Sequence, residues 1–178
     1  MGLKQTIKAK LQNVKVIVTD VDGVLTDSYL FIDEQEQEPF AKFSIYDGMG
    51  IVIAHDCGIK IIVISGRKSL CTEIRCRKLG IDEVYTGIGN KKEKLLEIAK
   101  RLELDLNQVV YLGDDLIDLG AMSIVGVTVA PRNAVKPIRE RVDHVTKTRG
   151  GEGVLRELVE LILKAQGRYD DYVELYLR

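Results

Sequence analysis

Tryptophan is absent from this sequence, and histidine, cysteine and proline are almost as scarce, at two, three and three among 178 residues. His55 and His144 have no cysteine or second histidine at ligand spacing, which argues against a zinc site. Cys71 and Cys76 are five apart and so off one helical face, and Cys57 is distant from both, so free thiols are expected in place of a disulfide framework. Charge imbalance is missing too. With 26 basic against 27 acidic residues the net charge is -1, which leaves no electrostatic case for nucleic acid or an anionic membrane. No apolar run approaches the ~20 residues that span a bilayer. Residues 1–12 are basic without the apolar core of a signal peptide, so a cytoplasmic protein is expected. Repeats, low-complexity tracts and long linkers are lacking, and residues 1–178 read as one domain with a full core.

What is present is a regular alternation. Residues 14–18 form a β-branched run too short for a helix, expected as a buried strand of a parallel sheet. Residues 29–32 and 40–45 flank the charged stretch 33–38 and read as a β-hairpin, a flap over 28–45 that must pack on the domain or on another subunit. Asp47-Gly48-Met49-Gly50 leads into a helical segment at 51–56. Strands are expected at 60–64, 83–86, 109–112, 127–130 and 142–145, with helices at 68–79, 91–104, 116–124, 134–141 and 154–165. Short turns between alternating units predict an α/β fold, a doubly wound, mostly parallel, Rossmann-like sheet. The tail 167–178, with three tyrosines, is expected either to dock or to stay loose.

The polar chemistry gathers where the strands end. Asp20 and Asp22 follow the first strand, and Gly23 permits a sharp turn after them. Ligands bind at that carboxyl edge in open α/β sheets. Two carboxylates about 4 Å apart repel by roughly 4 kcal/mol at an effective dielectric of about 20, so a cation is the expected companion. Ser65 and Arg67 follow the second expected strand, Lys91 opens a helix, and Asp114, Asp115 and Asp118 follow the fourth. Hard oxygen donors without histidine or cysteine select Mg2+, which commonly completes its shell with water and phosphate, so a phosphoryl substrate is implied. A carboxylate can attack phosphorus to give an aspartyl-phosphate. A second acid two residues on is placed to protonate the leaving oxygen and then to activate water, assistance typically worth ~10²–10⁴-fold. A response-regulator receiver gathers similar groups, but it places its phosphorylated aspartate at the third strand, and here that strand ends in Tyr85-Thr86-Gly87.

These residues carry a resemblance over nearly the whole chain. Asp20-Val-Asp-Gly-Val-Leu-Thr26, Ser65 at a strand end, Lys91 and Gly113-Asp-Asp-Leu-Ile-Asp118, in that order, resemble the four motifs of the haloacid dehalogenase superfamily of aspartate-nucleophile phosphatases. The hairpin, Asp47-Gly48, Ile64-Ser-Gly-Arg-Lys68, Asn90-Lys91 and Gly150-Gly-Glu-Gly153 narrow the resemblance to cap-less members that hydrolyse 3-deoxy-D-manno-octulosonate 8-phosphate, a precursor of lipopolysaccharide. The resemblance implies Asp20 as nucleophile and Mg2+ ligand, and Asp22 as acid/base with its backbone carbonyl on the metal. Asp114 is then the remaining ligand, Asp118 supports the site, and Ser65 and Lys91 bind the phosphoryl group. Arg67, Arg75 and the segment with Ser44, Tyr46, Asp47 and Gly48 are implied near the sugar acid. The gaps between motifs leave no room for a lid domain of the usual ~50 residues or more, so neighbouring subunits are expected to wall the site; the resemblance implies a homotetramer joined through the hairpins. Tyr46 and Val52 stand where relatives often carry arginine, which keeps nine-carbon ulosonate 9-phosphates as an alternative substrate class.

Overall fold

The computed structural model describes residues 5–81 and 83–177. Residues 1–4 of the basic lead-in and Arg178 of the tail lie outside the described residues. In chain order the principal elements are α1 (Gln5–Gln12), β1 (Val16–Thr19), α2 (Ile45–Asp56), β2 (Lys60–Ile64), α3 (Leu70–Lys78), β3 (Glu83–Tyr85), α4 (Lys91–Arg101), β4 (Val109–Leu112), α5 (Leu119–Met122), β5 (Val127–Ala130), α6 (Lys136–Arg139), β6 (His144–Val145), α7 (Val154–Ala165) and α8 (Tyr169–Glu174).

The six strands form one sheet in the order β3-β2-β1-β4-β5-β6, and every neighbouring pair is parallel. From β1 the chain moves outward through β2 and β3, then returns to place β4 on the other side of β1. That reversal is the switch point at which such sheets bind ligands. The order is also unlike the 2-1-3-4-5 arrangement of receivers. Both faces of the sheet are covered, which explains why its strands read as unbroken apolar runs. Ile17, Ile61, Val63, Val110 and Leu112 face one core, closed by α1, α2, α7 and the tail. Val16, Val18, Ile62, Ile64 and Tyr111 face the other, closed by α4, α5 and α6.

Several expectations shift, and the tail takes one of its two expected forms. The hairpin segment holds one isolated antiparallel bridge, Phe31 with Phe40, and no ladder; Pro39, just before its second arm, has no N–H to donate to one. The expected strand at 40–45 and helix at 51–56 are replaced by a helix that starts at Ile45, because the Ser44 hydroxyl caps it by accepting from the Tyr46 N–H at 3.2 Å. Residues 116–124 divide into a 3₁₀ turn, Leu116–Asp118, and α5, since Asp118 is turned inward. The tail folds onto its own body: Tyr172 is buried, and its hydroxyl donates to Asp56 at 3.0 Å.

Candidate active site

Register brings the acids together. Thr19 pairs with Val63 on one side and Leu112 on the other, so Asp20 stands level with Ile64 and Gly113 at the switch point. Its backbone N–H donates to Leu112 at 2.9 Å, and its side chain is almost wholly buried. Gly23 turns away with φ +82°, and a Cβ there would run into the Asp114 carboxylate. Only glycine allows the two loops to come so close. Beneath the turn, Asn133 holds it in place. Its amide donates to the Gly23 carbonyl at 3.2 Å and accepts from the Gly150 N–H at 2.6 Å. Gly150 itself packs on the Gly23 carbonyl where a side chain would not fit. The Gly150-Gly-Glu-Gly153 stretch is therefore a backbone support for the acidic loop.

Lys91, the first residue of α4, is buried between two carboxylates, 2.8 Å from Asp20 Oδ2 and 2.7 Å from Asp118 Oδ1. Burial opposes its charge, yet Asp20 and Asp118 outweigh that and hold the ammonium above its ordinary range. Burial, reinforced by Asp118 and opposed by Lys91, pushes Asp20 up to about 6. Asp114 is pushed up to about 8, again chiefly by burial and then by Asp20 and Asp118. Asp20, Asp114 and Asp118 offer oxygens that all lie within 4.8 Å of one another. Three acids around one ammonium leave surplus negative charge in a desolvated place, and hard oxygen donors there fit a small divalent cation. Asp118 already accepts from Lys91 and Tyr111 on one oxygen and from the Asp114 and Asp115 N–H groups on the other. Asp20 and Asp114 are thus the side chains left to hold such an ion.

Above the acids opens a cavity of about 510 Å³ lined by both Asp20 and Asp22. Arg67 grips Asp22 with two N–H groups, at 2.6 and 3.1 Å, and a third N–H reaches Glu38 of the flap. Ser65 is buried at the end of β2 and accepts from the Arg67 N–H at 3.3 Å. Ser28, Leu30, Ile88 and Ile117 also line the cavity. Sequence reasoning passed over them; the one available hint was an apolar Leu116-Ile117 pair inside an acidic turn.

The structure gathers the remaining expected residues elsewhere. Arg75 donates to the Ser44 carbonyl at 3.3 Å and, with Ser44, Asp47 and Gly48, lines a separate small pocket. Asp47 caps α7, accepting from the Leu155 and Arg156 N–H groups at 2.8 and 3.1 Å, while its other oxygen has no hydrogen-bond partner among the described residues. Burial pushes it up to about 6 against those backbone donors. Tyr46 is exposed and lies against Gly153.

The haloacid dehalogenase-like hydrolase family model matches residues 80–158. The 3-deoxy-D-manno-octulosonate 8-phosphate phosphatase KdsC of Escherichia coli strain B / BL21-DE3 is 38% identical over 165 residues, 93% of this chain and 87% of that one. The chain belongs to the haloacid dehalogenase-like hydrolases. Solved structures agree along nearly the whole chain. A probable YrbI family phosphatase from Pseudomonas syringae superposes with a TM-score of 0.95 at 39% identity, covering 98% of this chain and 99% of that one. The 3-deoxy-D-manno-octulosonate 8-phosphate phosphatase of Moraxella catarrhalis, in complex with magnesium ion, phosphate ion and KDO, superposes with a TM-score of 0.92 at 33% identity, covering 96% and 98%. Asp20 and Asp114 line the cavity, and Lys91 contacts Asp20 at 2.8 Å.

Proposed function

We propose that this chain is a Mg2+-dependent phosphatase of a small phosphorylated sugar acid, with 3-deoxy-D-manno-octulosonate 8-phosphate as substrate. The observation that carries this is Asp20 held against Lys91 at the floor of the cavity, with Asp22 and Arg67 at its wall. Mg2+ would be held by Asp20, Asp114 and the Asp22 backbone carbonyl, and would supply charge neutralisation to the phosphoryl oxygens.

The chain's own groups then act in two stages. An Asp20 carboxylate oxygen bonds to phosphorus, the phosphorus–oxygen ester bond breaks, and Asp22 gives its proton to the departing sugar hydroxyl. Water then bonds to phosphorus as Asp22 takes its proton, and breakage of the phosphorus–Asp20 bond releases inorganic phosphate. Ser65 and Lys91 hold the phosphoryl group, with Asp118 behind Lys91. The Arg67 fork suits a sugar carboxylate, and its transfer from Asp22 to that anion would release Asp22 for proton transfer. Arg75, Ser44 and Tyr46 would contribute to the sugar-acid end from a neighbouring subunit of a cytoplasmic homotetramer, while Asp47 and Gly48 are buried and Asp47 serves the fold by capping α7. The exposure of Tyr29, Phe31, Ile32 and Phe40 in the flap supports that assembly. The neutral, exposed Tyr46 keeps nine-carbon ulosonate 9-phosphates as a second substrate reading.

A panel of ulosonate and hexose phosphates tested for kcat/KM with Mg2+ decides between these. The eight-carbon ulosonate 8-phosphate is expected to lead hexose phosphates by about 100-fold or more, on the scale that a bidentate carboxylate contact supplies, and Asp20→Asn is the blank. Preference for a neutral sugar phosphate, or turnover by Asp20→Asn, would overturn the proposal.

A further inference from the structure

Tyr111 takes no part in the chemistry above, yet it is a phenol at the centre of the sheet with no exposed surface. It stands on β4 between Val18 and Thr128, where phenylalanine would fill the same space without a hydroxyl to satisfy. That hydroxyl donates to Asp118 Oδ1 at 2.9 Å. The same oxygen accepts from Lys91 at 2.7 Å, and Asp118 Oδ2 accepts from the Asp114 and Asp115 N–H groups at 3.0 and 3.3 Å. A carboxylate has about four acceptor positions, and here every one has a donor. Asp118 is thereby fixed in orientation.

The consequence falls on Lys91. Its ammonium has three N–H groups; one points to Asp118, and the 2.8 Å contact with Asp20 engages another. Two donors on Asp118 Oδ1 divide that oxygen's pull. Without the phenol, Oδ1 would turn wholly to Lys91 and draw the ammonium down toward the sheet, away from Asp20. We infer that Tyr111 is a positioning residue for phosphoryl transfer: its hydroxyl holds Asp118 so that Lys91 is shared with Asp20 and keeps one N–H for the phosphoryl group. This rests on the roles proposed above for Asp20 and Lys91.

A double-mutant cycle of Tyr111→Phe with Asp118→Asn tests it, read by calorimetric binding of inorganic phosphate in the presence of Mg2+ and by kcat/KM. Tyr111→Phe alone is expected to weaken phosphate binding about fivefold and lower kcat/KM about 10-fold. In the Asp118→Asn background the same change is expected to move either quantity less than about twofold, because the group through which Tyr111 acts is already altered. Equal losses in both backgrounds, no loss in the first, or a Tyr111→Phe protein that does not fold would each assign Tyr111 to packing and overturn the proposal. Phosphate binding needs no turnover, so a chain that binds phosphate but hydrolyses no ester would sink the phosphatase reading and leave this cycle readable.

Discussion

At the scale of single residues, the same carboxylate type takes on different work according to what surrounds it. Asp22 is half-buried and gripped by Arg67, Asp118 is saturated with donors, and Asp20 is pressed against Lys91. Asp47 shows that an acid singled out by its motif can serve the fold. Its carboxylate caps α7, and burial raises it from 3.8 to about 6. A folded value above the unfolded one means that the folded state binds the proton more tightly, so this contribution is fully present below about pH 4 and lost as pH rises through about 6. One unit corresponds to about 1.4 kcal/mol, so the loss is of order 3 kcal/mol. Asp47→Asn keeps an acceptor for the Leu155 and Arg156 N–H groups and removes the titration. Urea unfolding at pH 4.5 and pH 7.5 is expected to show a smaller pH dependence in this variant than in the unaltered chain; identical dependence would clear Asp47 of the effect. None of this is legible in Asp47-Gly48 as a sequence, because the N–H groups it caps come from residues 155 and 156.

At the scale of elements, local pattern succeeded where local forces decide. The strands β2, β4 and β5 coincide with their apolar runs, and α7 with its amphipathic one. It failed in the flap and at the start of α2, where a Ser44 cap and Pro39 outweigh the β-branched and aromatic content of 40–45. The flap has a single β-bridge within it, and it leaves Tyr29 76% and Phe40 71% exposed. Deleting residues 29–45 is expected to convert the proposed tetramer to monomer with the sheet intact, as read by light scattering and far-UV circular dichroism. A tetramer that survives the deletion would remove the flap from the interface.

At the scale of the whole molecule, the sheet order explains why the acids can share an ion at all. Asp20 and Asp114 are ninety-four positions apart in the chain but end adjacent strands. Mg2+ bound at 100 times its dissociation constant stabilises by about 2.7 kcal/mol, and a protein of this size gains ~2–4 °C in melting temperature per kcal/mol. Melting is therefore expected to rise by roughly 5–10 °C with saturating Mg2+, to fall back with excess chelator, and to respond little in Asp114→Asn; an equal response in that variant would move the ion elsewhere. The sequence by itself determined the α/β class, the four groups of polar residues and their order, because short strands, turns and acid-bearing strand ends are written in neighbouring positions. Only the tertiary structure decided which carboxylates share Lys91, that Asp118 is satisfied by Tyr111, and that Asp47 and Arg75 lie away from the cavity in this chain. Those outcomes depend on register and on which helix packs over which face, and burial and hydrogen bonding between distant segments set them.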